Sequence, residues 1–241
     1  MNVRTPGIVI KSSRYSNSSL ITKIYTQTHG LLSFVIKGAY RPKSRLPVSF
    51  FQPLQVLSLE ISYRQNRNFQ NISEAQAVQS TYSLTSSPFK VSISIFIAEL
   101  IDHCLSVGSE NDEVLFDFLK KNVEYIEQNK PSTNFPLFFM VQLSRHLGIL
   151  PENNYAEETP WFSVSEGKFV ADQPEEFVTL SITENKYLSE LLQSDRQNYH
   201  TLSIPNAVKR RLLFVLDNYF GWHLPGYSRL KSYSILTDVI E

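Results

Sequence analysis

The pattern of apolar positions changes near residue 82 of this 241-residue chain. Before that point, short runs of β-branched and aromatic residues are separated by Gly, Pro, Asn and Ser, which is typical of strands joined by turns. The pattern predicts five strands, at residues 7–12, 20–26, 31–37, 54–62 and 68–78. Five short strands with no helical run among them predict a small closed or nearly closed β-barrel.

After residue 82, apolar residues recur three and four positions apart, which predicts amphipathic helices. The predicted helices are residues 88–107, 112–129, 135–149, 184–194 and 205–224. The third of them is the most apolar and is the expected centre of a helical bundle. The C-terminal two thirds of the chain is therefore predicted to be mostly helical.

Two details of this helical part are also predicted. In the first helix, Cys104 continues a stripe of core residues and is expected to be a buried thiol; the stripe consists of Ile93, Phe96, Ile97, Leu100 and Ile101. Residues 150–180 are polar and rich in Pro and Glu. Within them, residues 161–170 predict a hairpin with Glu166 and Gly167 at its tip.

Charge is divided between the two parts of the chain. Residues 1–80 hold ten Lys or Arg and two acidic residues, a net charge of +8, whereas the whole chain holds 23 of each sign. Residues 81–241 therefore carry a net charge of −8. An approaching polyanion responds to the local field within a Debye length of ~10 Å and not to the overall neutrality. The predicted barrel is therefore the candidate nucleic-acid surface.

The densest group of cations lies in and beside residues 38–53, a predicted long exposed loop between the third and fourth strands. Four cations fall within nine residues, with one tyrosine among them: Lys37, Tyr40, Arg41, Lys43 and Arg45. Cations of this kind neutralise phosphates, and a loop of this kind lies at the rim of a binding groove in a small barrel. These residues are the principal DNA-binding candidates.

Aromatic residues near the loop add a second kind of contact. The rings of Tyr40, Phe50 and Phe51 are expected to stack on exposed bases. The alternative is a loop whose charges only aid solubility, but the first 59 residues contain no acid, which favours nucleic acid. Arg14, Tyr15 and Arg64 are further candidates at the groove.

Other chemistry finds little support in the sequence. A Gly-rich phosphate loop, HExxH and a nucleophile elbow are absent, so no catalytic residue and no enzymatic activity are predicted. One cysteine, Cys104, excludes an intrachain disulfide and a cysteine-rich zinc site, and the five histidines are scattered, so neither metal nor cofactor is predicted. Residues 102–104, Asp-His-Cys, point in different directions on a helix. The acidic pairs at 157–158 and 175–176 are interpreted as solvated surface charge.

Membrane association is not expected. No run of residues approaches the ~18 uncharged apolar residues that a membrane span needs. The apolar stretch near the start is too short for a signal peptide. We therefore expect a cytoplasmic protein, associated with the nucleoid, with no membrane partner.

Several short motifs occur in a characteristic order. They are Tyr15, Thr26 to Gly30, Lys37-Gly38-Ala39, Arg41-Pro42-Lys43-Ser44-Arg45 and Gln52-Pro53-Leu54, followed near the end of the chain by His223 and Lys231-Ser232. In this order and spacing, the first five resemble the N-terminal domain of the RecO recombination mediator family. The ending resembles that family's C-terminal tail.

The resemblance implies an α+β multidomain protein, with an OB-fold barrel at residues 1–80 and an α-helical domain at residues 81–241. It implies a non-catalytic mediator that binds single-stranded and double-stranded DNA and anneals complementary strands. It also implies help in loading the RecA recombinase onto strands coated with single-strand DNA-binding protein. The implied partners are RecR, the C-terminal tail of the single-strand DNA-binding protein and, indirectly, RecA.

Two departures from the family pattern are informative. Many members have four cysteines that form a zinc module in the helical domain, where this chain has residues 150–180 and no cysteine. The predicted hairpin is then a degenerate, zinc-free remnant, held by packing of Trp161, Phe162 and Phe169. Asn17 stands where the family often has an acidic residue, which adds to the N-terminal positive charge.

Two other functions stay open on the residues alone. One is an OB-fold factor that binds RNA, for which the charge pattern is equally suitable. The other is an adaptor whose barrel only docks to another protein and has no annealing activity. The ordered segment at residues 37–45, KGAYRPKSR, favours the DNA-binding mediator.

Overall fold

A computed structural model of the chain describes residues 2–78, 84, 87–108 and 111–240, with only the backbone for residues 237–240. The chain forms two compact units, Met1–Lys130 and Pro131–Glu241. The domain boundary predicted at residues 80 and 81 lies outside the described residues and stays a prediction.

The first unit contains all five predicted strands in one antiparallel sheet. They are β1 (Asn2–Arg14), β2 (Leu20–Thr26), β3 (Gly30–Ile36), β4 (Val56–Ser62) and β5 (Asn71–Ala77), in the order β3-β2-β1-β4-β5. β1 is longer than predicted because it pairs with two neighbouring strands. Its first half, from Asn2 to Ile8, pairs with β4, and its second half, from Gly7 to Arg14, pairs with β2.

The two halves of β1 meet where the barrel core is tightest. A Cβ atom on Gly7 would lie 2.6 Å from the Cγ2 atom of Ile24 on β2 and 2.9 Å from the Cδ1 atom of Leu59 on β4. Real Cβ atoms do not come so close to other atoms, so only glycine lets the strands approach one another here. Ile24 and Leu59 are fully buried members of the barrel core.

The sheet curls towards closure without completing a continuous ring of strands. A parallel bridge joins Phe34 on β3 to Gln70, the residue before β5. The amide N of Gln70 donates to the Ser33 carbonyl at 2.8 Å. This architecture is consistent with an OB-fold, and a helical region follows it, so the predicted fold class is confirmed.

Two helices, α1 (Pro88–Cys104) and α2 (Glu113–Gln128), complete the first unit. Asp112 is the N-cap of α2, and its side chain accepts a hydrogen bond from the Leu115 amide. The Tyr25 hydroxyl on β2 donates to the Asp112 carbonyl at 3.3 Å, and its ring stacks on Phe116 at 6.2 Å. Burial raises the pKa of Tyr25 to about 12. The first turns of α2 are thus attached directly to the barrel.

The predicted core stripe of α1 is confirmed in its five apolar residues, which are all buried. The prediction for Cys104 is wrong, because the thiol is only partly buried. Cys104 is the last residue of α1, where the chain leaves the helix and its stripe no longer faces the core.

In the described residues, the second unit contains four α-helices, a short 3-10 helix (Tyr199–Thr201) and a hairpin. The helices are α3 (Phe135–His146), α4 (Ile182–Gln193), α5 (Asn206–His223) and α6 (Tyr233–Ile240), and the last of these was not predicted. Nine of the twelve residues of α3 are buried, and α3 contacts both α4 and α5, which confirms its central position. Phe138 on α3 stacks on the buried Tyr199 with ring centres 4.4 Å apart.

The predicted hairpin is confirmed as β6 (Trp161–Ser163) and β7 (Lys168–Val170), with Gly167 at a positive φ of 71° in the turn. Phe162 and Phe169 are buried and meet edge to face at 5.3 Å, while Trp161 is partly exposed. The side chain of Asn154, which precedes β6, adds two hydrogen bonds to β7. Its carbonyl oxygen accepts from the Phe169 amide at 2.8 Å, and its NH2 donates to the Phe169 carbonyl at 2.9 Å.

One acidic residue of this region is not a solvated surface charge, contrary to the prediction. The Glu176 carboxylate accepts four hydrogen bonds, from the hydroxyls of Ser163 and Ser165 and from the amides of Val164 and Ser165, at 2.6–3.0 Å. Burial by itself raises the pKa of Glu176, but these hydrogen bonds outweigh it and lower the pKa below its ordinary value. Glu176 therefore holds the hairpin turn, whereas its neighbour Glu175 is exposed.

Candidate nucleic-acid interface

The loop that carries the candidate cations is anchored at both ends to the barrel core. Ala39, Phe51 and Leu54 are buried, and a short 3-10 helix, Val48–Phe51, packs in the second half of the loop. The amide N of Leu54 donates to the Val9 carbonyl on β1 at 2.8 Å. The prediction of a wholly exposed loop is therefore wrong for residues 46–51, whose apolar side chains cover the barrel core.

This anchoring changes the role of the two phenylalanines. Phe51 is 1% exposed and Phe50 packs against the same core, so the prediction that their rings stack on bases is wrong. Tyr15 and Tyr40 are exposed by 66% and 39%. The aromatic contacts available to a nucleic acid at this loop are therefore the two tyrosines.

Five of the eight predicted residues come together where β1 and β3 end. We name them the rim cluster: Arg14, Tyr15, Lys37, Tyr40 and Arg41. Tyr15, Lys37 and Arg41 line one shallow depression. The Arg14 guanidinium lies 5.1 Å from the centre of the Tyr40 ring, a cation–π contact, and both side chains are exposed. The cluster thus combines cations with aromatic rings on one surface.

Lys43 and Arg45 follow the rim cluster on the same loop. Both are exposed. The segment turns sharply here, because the Arg41 amide bonds the Gly38 carbonyl at 3.0 Å and the Ser44 amide bonds the Arg41 carbonyl at 3.2 Å. Lys43 adopts a positive φ of 59° within these turns. The two exposed side chains belong to a loop whose base is held by the core.

Arg64 lies elsewhere on the barrel. It follows β4, whose last residue, Ser62, pairs with Asn2 at the opposite end of β1 from Arg14. Among the described contacts, none joins Arg64 to the other seven predicted residues. The structure therefore groups seven of the eight candidates on one rim and its loop and leaves Arg64 apart.

Ion pairs divide the ten cations of the barrel into two groups. Arg4 bonds Glu60 at 3.2 Å, Lys11 bonds Asp102 at 2.8 Å, and Lys23 also bonds Asp102. Within the described ranges, no salt bridge involves the remaining seven, all of them exposed: Arg14, Lys37, Arg41, Lys43, Arg45, Arg64 and Arg67. The uncompensated charge of the barrel is thus concentrated on its rim and loops.

Asp102 is a charge-pairing residue that the sequence did not reveal. Its side chain, 4% exposed, lies on α1 and accepts hydrogen bonds from Lys11 on β1 and Lys23 on β2. Burial by itself raises the pKa of Asp102, but the hydrogen bonds and charges of the two lysines outweigh burial and lower the pKa. These partners are 91 and 79 residues away in sequence, so no local motif marks the pair.

Replacing Asp102 by Asn will lower the free energy of unfolding by about 1.5–3 kcal/mol near neutral pH, because charged hydrogen bonds are lost at a buried site. The folded-state pKa is lowered, so the stabilisation is fully present above the ordinary value of 3.8 and is lost as the pH falls through the folded value. Urea denaturation of the wild type and of Asp102→Asn should therefore show a difference at neutral pH that shrinks in acid.

Asp117→Asn is the matched control, because Asp117 is exposed on α2 in the same unit. We expect it to change stability by no more than about 0.5 kcal/mol. An equal loss in both variants, or a difference that does not change with pH, contradicts the ion-pair role of Asp102.

A run of three cations on α5, residues 209–211, is a weaker DNA candidate. Lys209 is 7% exposed, and its ammonium group donates to the Thr133 hydroxyl at 2.6 Å and to the Asn206 side-chain carbonyl at 3.3 Å. Burial lowers the pKa of Lys209. Arg211 donates to the Thr179 carbonyl at 2.6 Å. Both cations are therefore engaged within the second unit.

In the part of the chain that the structure describes, no group of three or more His, Cys, Asp and Glu side chains is arranged to hold a metal ion. The His29 ring packs on Tyr63 at 4.1 Å, and burial lowers its pKa. No helix in these same ranges is long and apolar enough to cross a membrane.

Comparison with known proteins covers almost the entire chain. The family described as Recombination protein O N terminal matches residues 1–81, and the family described as Recombination protein O C terminal matches residues 85–234. The chain is 29% identical to the DNA repair protein RecO of Azobacteroides pseudotrichonymphae over 244 residues, with both chains fully covered. It is 30% identical to that of Bacteroides fragilis over 242 residues and 28% identical to that of Flavobacterium psychrophilum over 242 residues, with coverage of 99% and 100% of each chain.

The two family models meet at the change of hydrophobic period near residue 82, and the relatives match this chain from end to end. The resemblance noted in the N-terminal motifs and in the C-terminal tail is thus confirmed. The chain belongs to the RecO family of DNA repair proteins.

Proposed function

We propose that this protein is a non-catalytic recombination mediator that binds single-stranded DNA with the rim cluster and with Lys43 and Arg45. The observation that carries the proposal is that, in the described part of the chain, no salt bridge involves these exposed cations, which lie beside two exposed tyrosines. Cations without acidic partners are free to neutralise phosphates, and the tyrosine rings offer stacking surfaces for bases. Double-stranded DNA offers the same phosphates and is a second ligand.

Annealing follows from contacts of this kind. Phosphate contacts do not depend on sequence and are screened by salt, so a bound strand keeps its bases available and can shift its register. A complementary strand held nearby can then pair along its length. We propose that the protein accelerates annealing in this way, with no chemical step.

The experiment that tests this proposal is a salt titration of single-strand binding and annealing with the full chain. Five cations, each contributing about 0.7 to the salt slope, predict that the logarithm of the binding constant falls with the logarithm of salt with a slope of about −3 to −3.5. The readouts are fluorescence anisotropy of a labelled oligonucleotide and the pairing rate of complementary oligonucleotides. Salt-independent binding, or a pairing rate equal to that without protein, would overturn the proposal.

The same experiment distinguishes the alternatives. An RNA-binding factor would prefer an RNA oligonucleotide to DNA of the same sequence, and a protein-docking adaptor would bind neither. We favour DNA because the relatives that match this chain over its full length are named as DNA repair proteins.

Protein partners are part of the proposal. We propose that the chain acts with RecR, that it binds the C-terminal tail of single-strand DNA-binding protein, and that it helps load RecA onto strands coated with that protein. Family membership supports these partners. A groove in the second unit offers a surface for such contacts, because it is lined by Phe177, Trp222 and Arg229, and the two rings are 94% and 67% exposed. Association with the nucleoid would follow from the DNA binding.

A further inference from the structure

The barrel sheet has two outer strands, β3 and β5, and their outer edges differ. On β3, the carbonyls of Leu31 and Ser33 accept hydrogen bonds from the amides of Gly108 and Gln70 at 3.0 and 2.8 Å. The Val35 amide donates to the Gln70 carbonyl at 3.4 Å. The outer edge of β3 is therefore already occupied by other parts of the chain.

The outer edge of β5 is open. The Val78 amide, directly after β5, donates to the Val56 carbonyl on β4 at 3.1 Å, and the register of the two strands is regular from there back to Glu74. Backbone groups alternate in direction along an antiparallel strand, so those of Ala75 and Ala77 face away from β4. Among the described residues, no backbone hydrogen bond from outside the sheet reaches Ala75 or Ala77. This edge therefore offers amides and carbonyls to a further strand.

The side chains of this edge do little to block such a strand. Natural proteins protect an open edge with Pro, Lys or a bulge. β5, with the sequence NISEAQA, contains neither Pro nor Lys, and its bulge at Ser73 precedes the regular part. Ala77 is exposed and Ala75 is partly exposed, and a single methyl group does not obstruct a neighbouring backbone. The edge therefore fits an extended segment that pairs with β5.

The charge beside this edge is negative, unlike that of the rest of the barrel. Glu60 and Glu74, the two acidic residues of the barrel, face each other across β4 and β5. Glu60 is paired with Arg4, whereas no salt bridge in the described ranges involves Glu74. All three side chains line a shallow polar pocket of about 150 Å³. Glu74 is exposed and therefore available to a cation.

A strand that pairs with Ala75 and Ala77 places one of its side chains opposite Glu74. This is a non-hydrogen-bonded position of the new pair, where opposing side chains are closest. A Lys or Arg there gives Glu74 a partner, and opposite charges across two strands stabilise a sheet. A second copy of β5 brings no cation, since its only charged residue is Glu74. The charge therefore favours a basic segment of another protein.

We propose that the outer edge of β5 is a docking site for an extended basic segment of a partner protein. The segment adds a strand to the barrel sheet, bonds the backbone of Ala75 and Ala77, and sets a Lys or Arg against Glu74. This contact goes beyond the proposed function and involves none of the DNA-binding candidates. The barrel binds the partner and DNA at separate surfaces.

Hydrogen exchange of the full chain, followed by NMR, tests whether the edge is open. The amides of Ala75 and Ala77 should exchange at least about tenfold faster than that of Gln76, which faces β4. Protection of the two alanine amides in dilute protein means that the edge is already covered, and the proposal then fails. Protection that appears only as the protein concentration rises assigns the edge to a second copy and rules out the partner segment.

Selection from a displayed library of random peptides of about ten residues identifies the kind of segment that the full chain binds. Peptides that bind Ala77→Pro are removed first, because proline is tolerated where an edge amide faces outward but removes that donor. The remaining peptides should carry Lys or Arg among β-branched residues. They should bind Ala77→Pro at least about tenfold more weakly than the wild type. Ala77→Thr keeps the amide and should bind within about twofold of the wild type.

Charge exchange tests the ion pair separately from the backbone contacts. Glu74→Lys should bind a selected peptide about fivefold more weakly, and replacing the cation of the peptide by Glu should restore the affinity. A selection that enriches no peptide, or only peptides without a cation, contradicts the proposal, as does equal binding by the two Ala77 variants. Both Ala77 variants should bind single-stranded DNA as the wild type does, so failure here leaves the proposed function standing.

Discussion

Reversing the charges of Lys43 and Arg45 together will slow the annealing of complementary oligonucleotides by about tenfold or more at moderate salt, because two phosphate contacts become repulsive. The slope of binding against salt should become shallower by about 1.4, which is the contribution of two phosphates on a single strand. Both side chains are exposed on a loop whose base is anchored by Phe51 and Leu54. The double variant should therefore keep the thermal midpoint of the wild type.

The matched control is the double variant Lys121→Glu and Lys186→Glu. Both lysines are exposed on helices, α2 and α4, so the control changes the net charge of the chain by the same amount. If the two double variants anneal DNA equally slowly, the effect is one of net charge and the loop has no special role. If Lys43→Glu with Arg45→Glu anneals at the wild-type rate, the assignment of these two residues is wrong.

Truncating Phe169 to Ala will lower the free energy of unfolding by about 3–5 kcal/mol, because a fully buried ring leaves a cavity at the centre of the hairpin. Phe169 is 1% exposed and meets two other rings, those of Phe162 and Tyr155, each at 5.3 Å. Asn154 bonds both backbone groups of Phe169, so the surrounding loop cannot collapse freely into the space. A loss of this size is a large part of the stability of an ordinary domain, ~5–15 kcal/mol.

Denaturant unfolding followed by circular dichroism measures this loss. Phe177→Ala makes the same chemical change at a side chain that is 94% exposed, and it should stay within about 0.5 kcal/mol of the wild type. A metal chelator should leave the midpoint of the wild type unchanged, since Glu176, Asn154 and the two buried rings hold the hairpin in place of a metal. Stoichiometric zinc in the purified protein, or equal losses in the two Phe variants, would contradict this account.

The elements of the fold were predictable because each leaves a local period in the sequence. The alternation in residues 20–26 places side chains on the two faces of β2, and the spacing of Ile93, Phe96 and Leu100 places them on one face of α1. The ends of elements were less predictable. β1 extends to Asn2 because β4 pairs with it, and this partner lies more than 40 residues away in the sequence.

The candidate site was predictable in composition and less so in geometry. The cations and tyrosines of residues 37–45 are adjacent in sequence, so a motif was sufficient to find them. Phe51 and Tyr40 are aromatic residues of the same loop, but Phe51 is buried and Tyr40 is exposed, and only the structure shows this difference. The pairing of Asp102 with Lys11 and Lys23 was missed because the partners lie 91 and 79 residues apart in the sequence.

The sequence by itself determined the order of a strand-rich part followed by a helical part, the excess of positive charge in the barrel and the absence of cysteine ligands for zinc in residues 150–180. These properties depend on residue identity and on spacing along the chain. Only the tertiary structure decided which charges stay uncompensated, because Asp102 on α1 pairs with Lys11 and Lys23, whereas no salt bridge among the described residues involves the rim cluster. Coulomb and hydrogen-bond energies depend on distance in space and on burial. Contacts between residues that lie 79 and 91 positions apart in the sequence therefore determine which cations are neutralised, and a count of charges cannot show this.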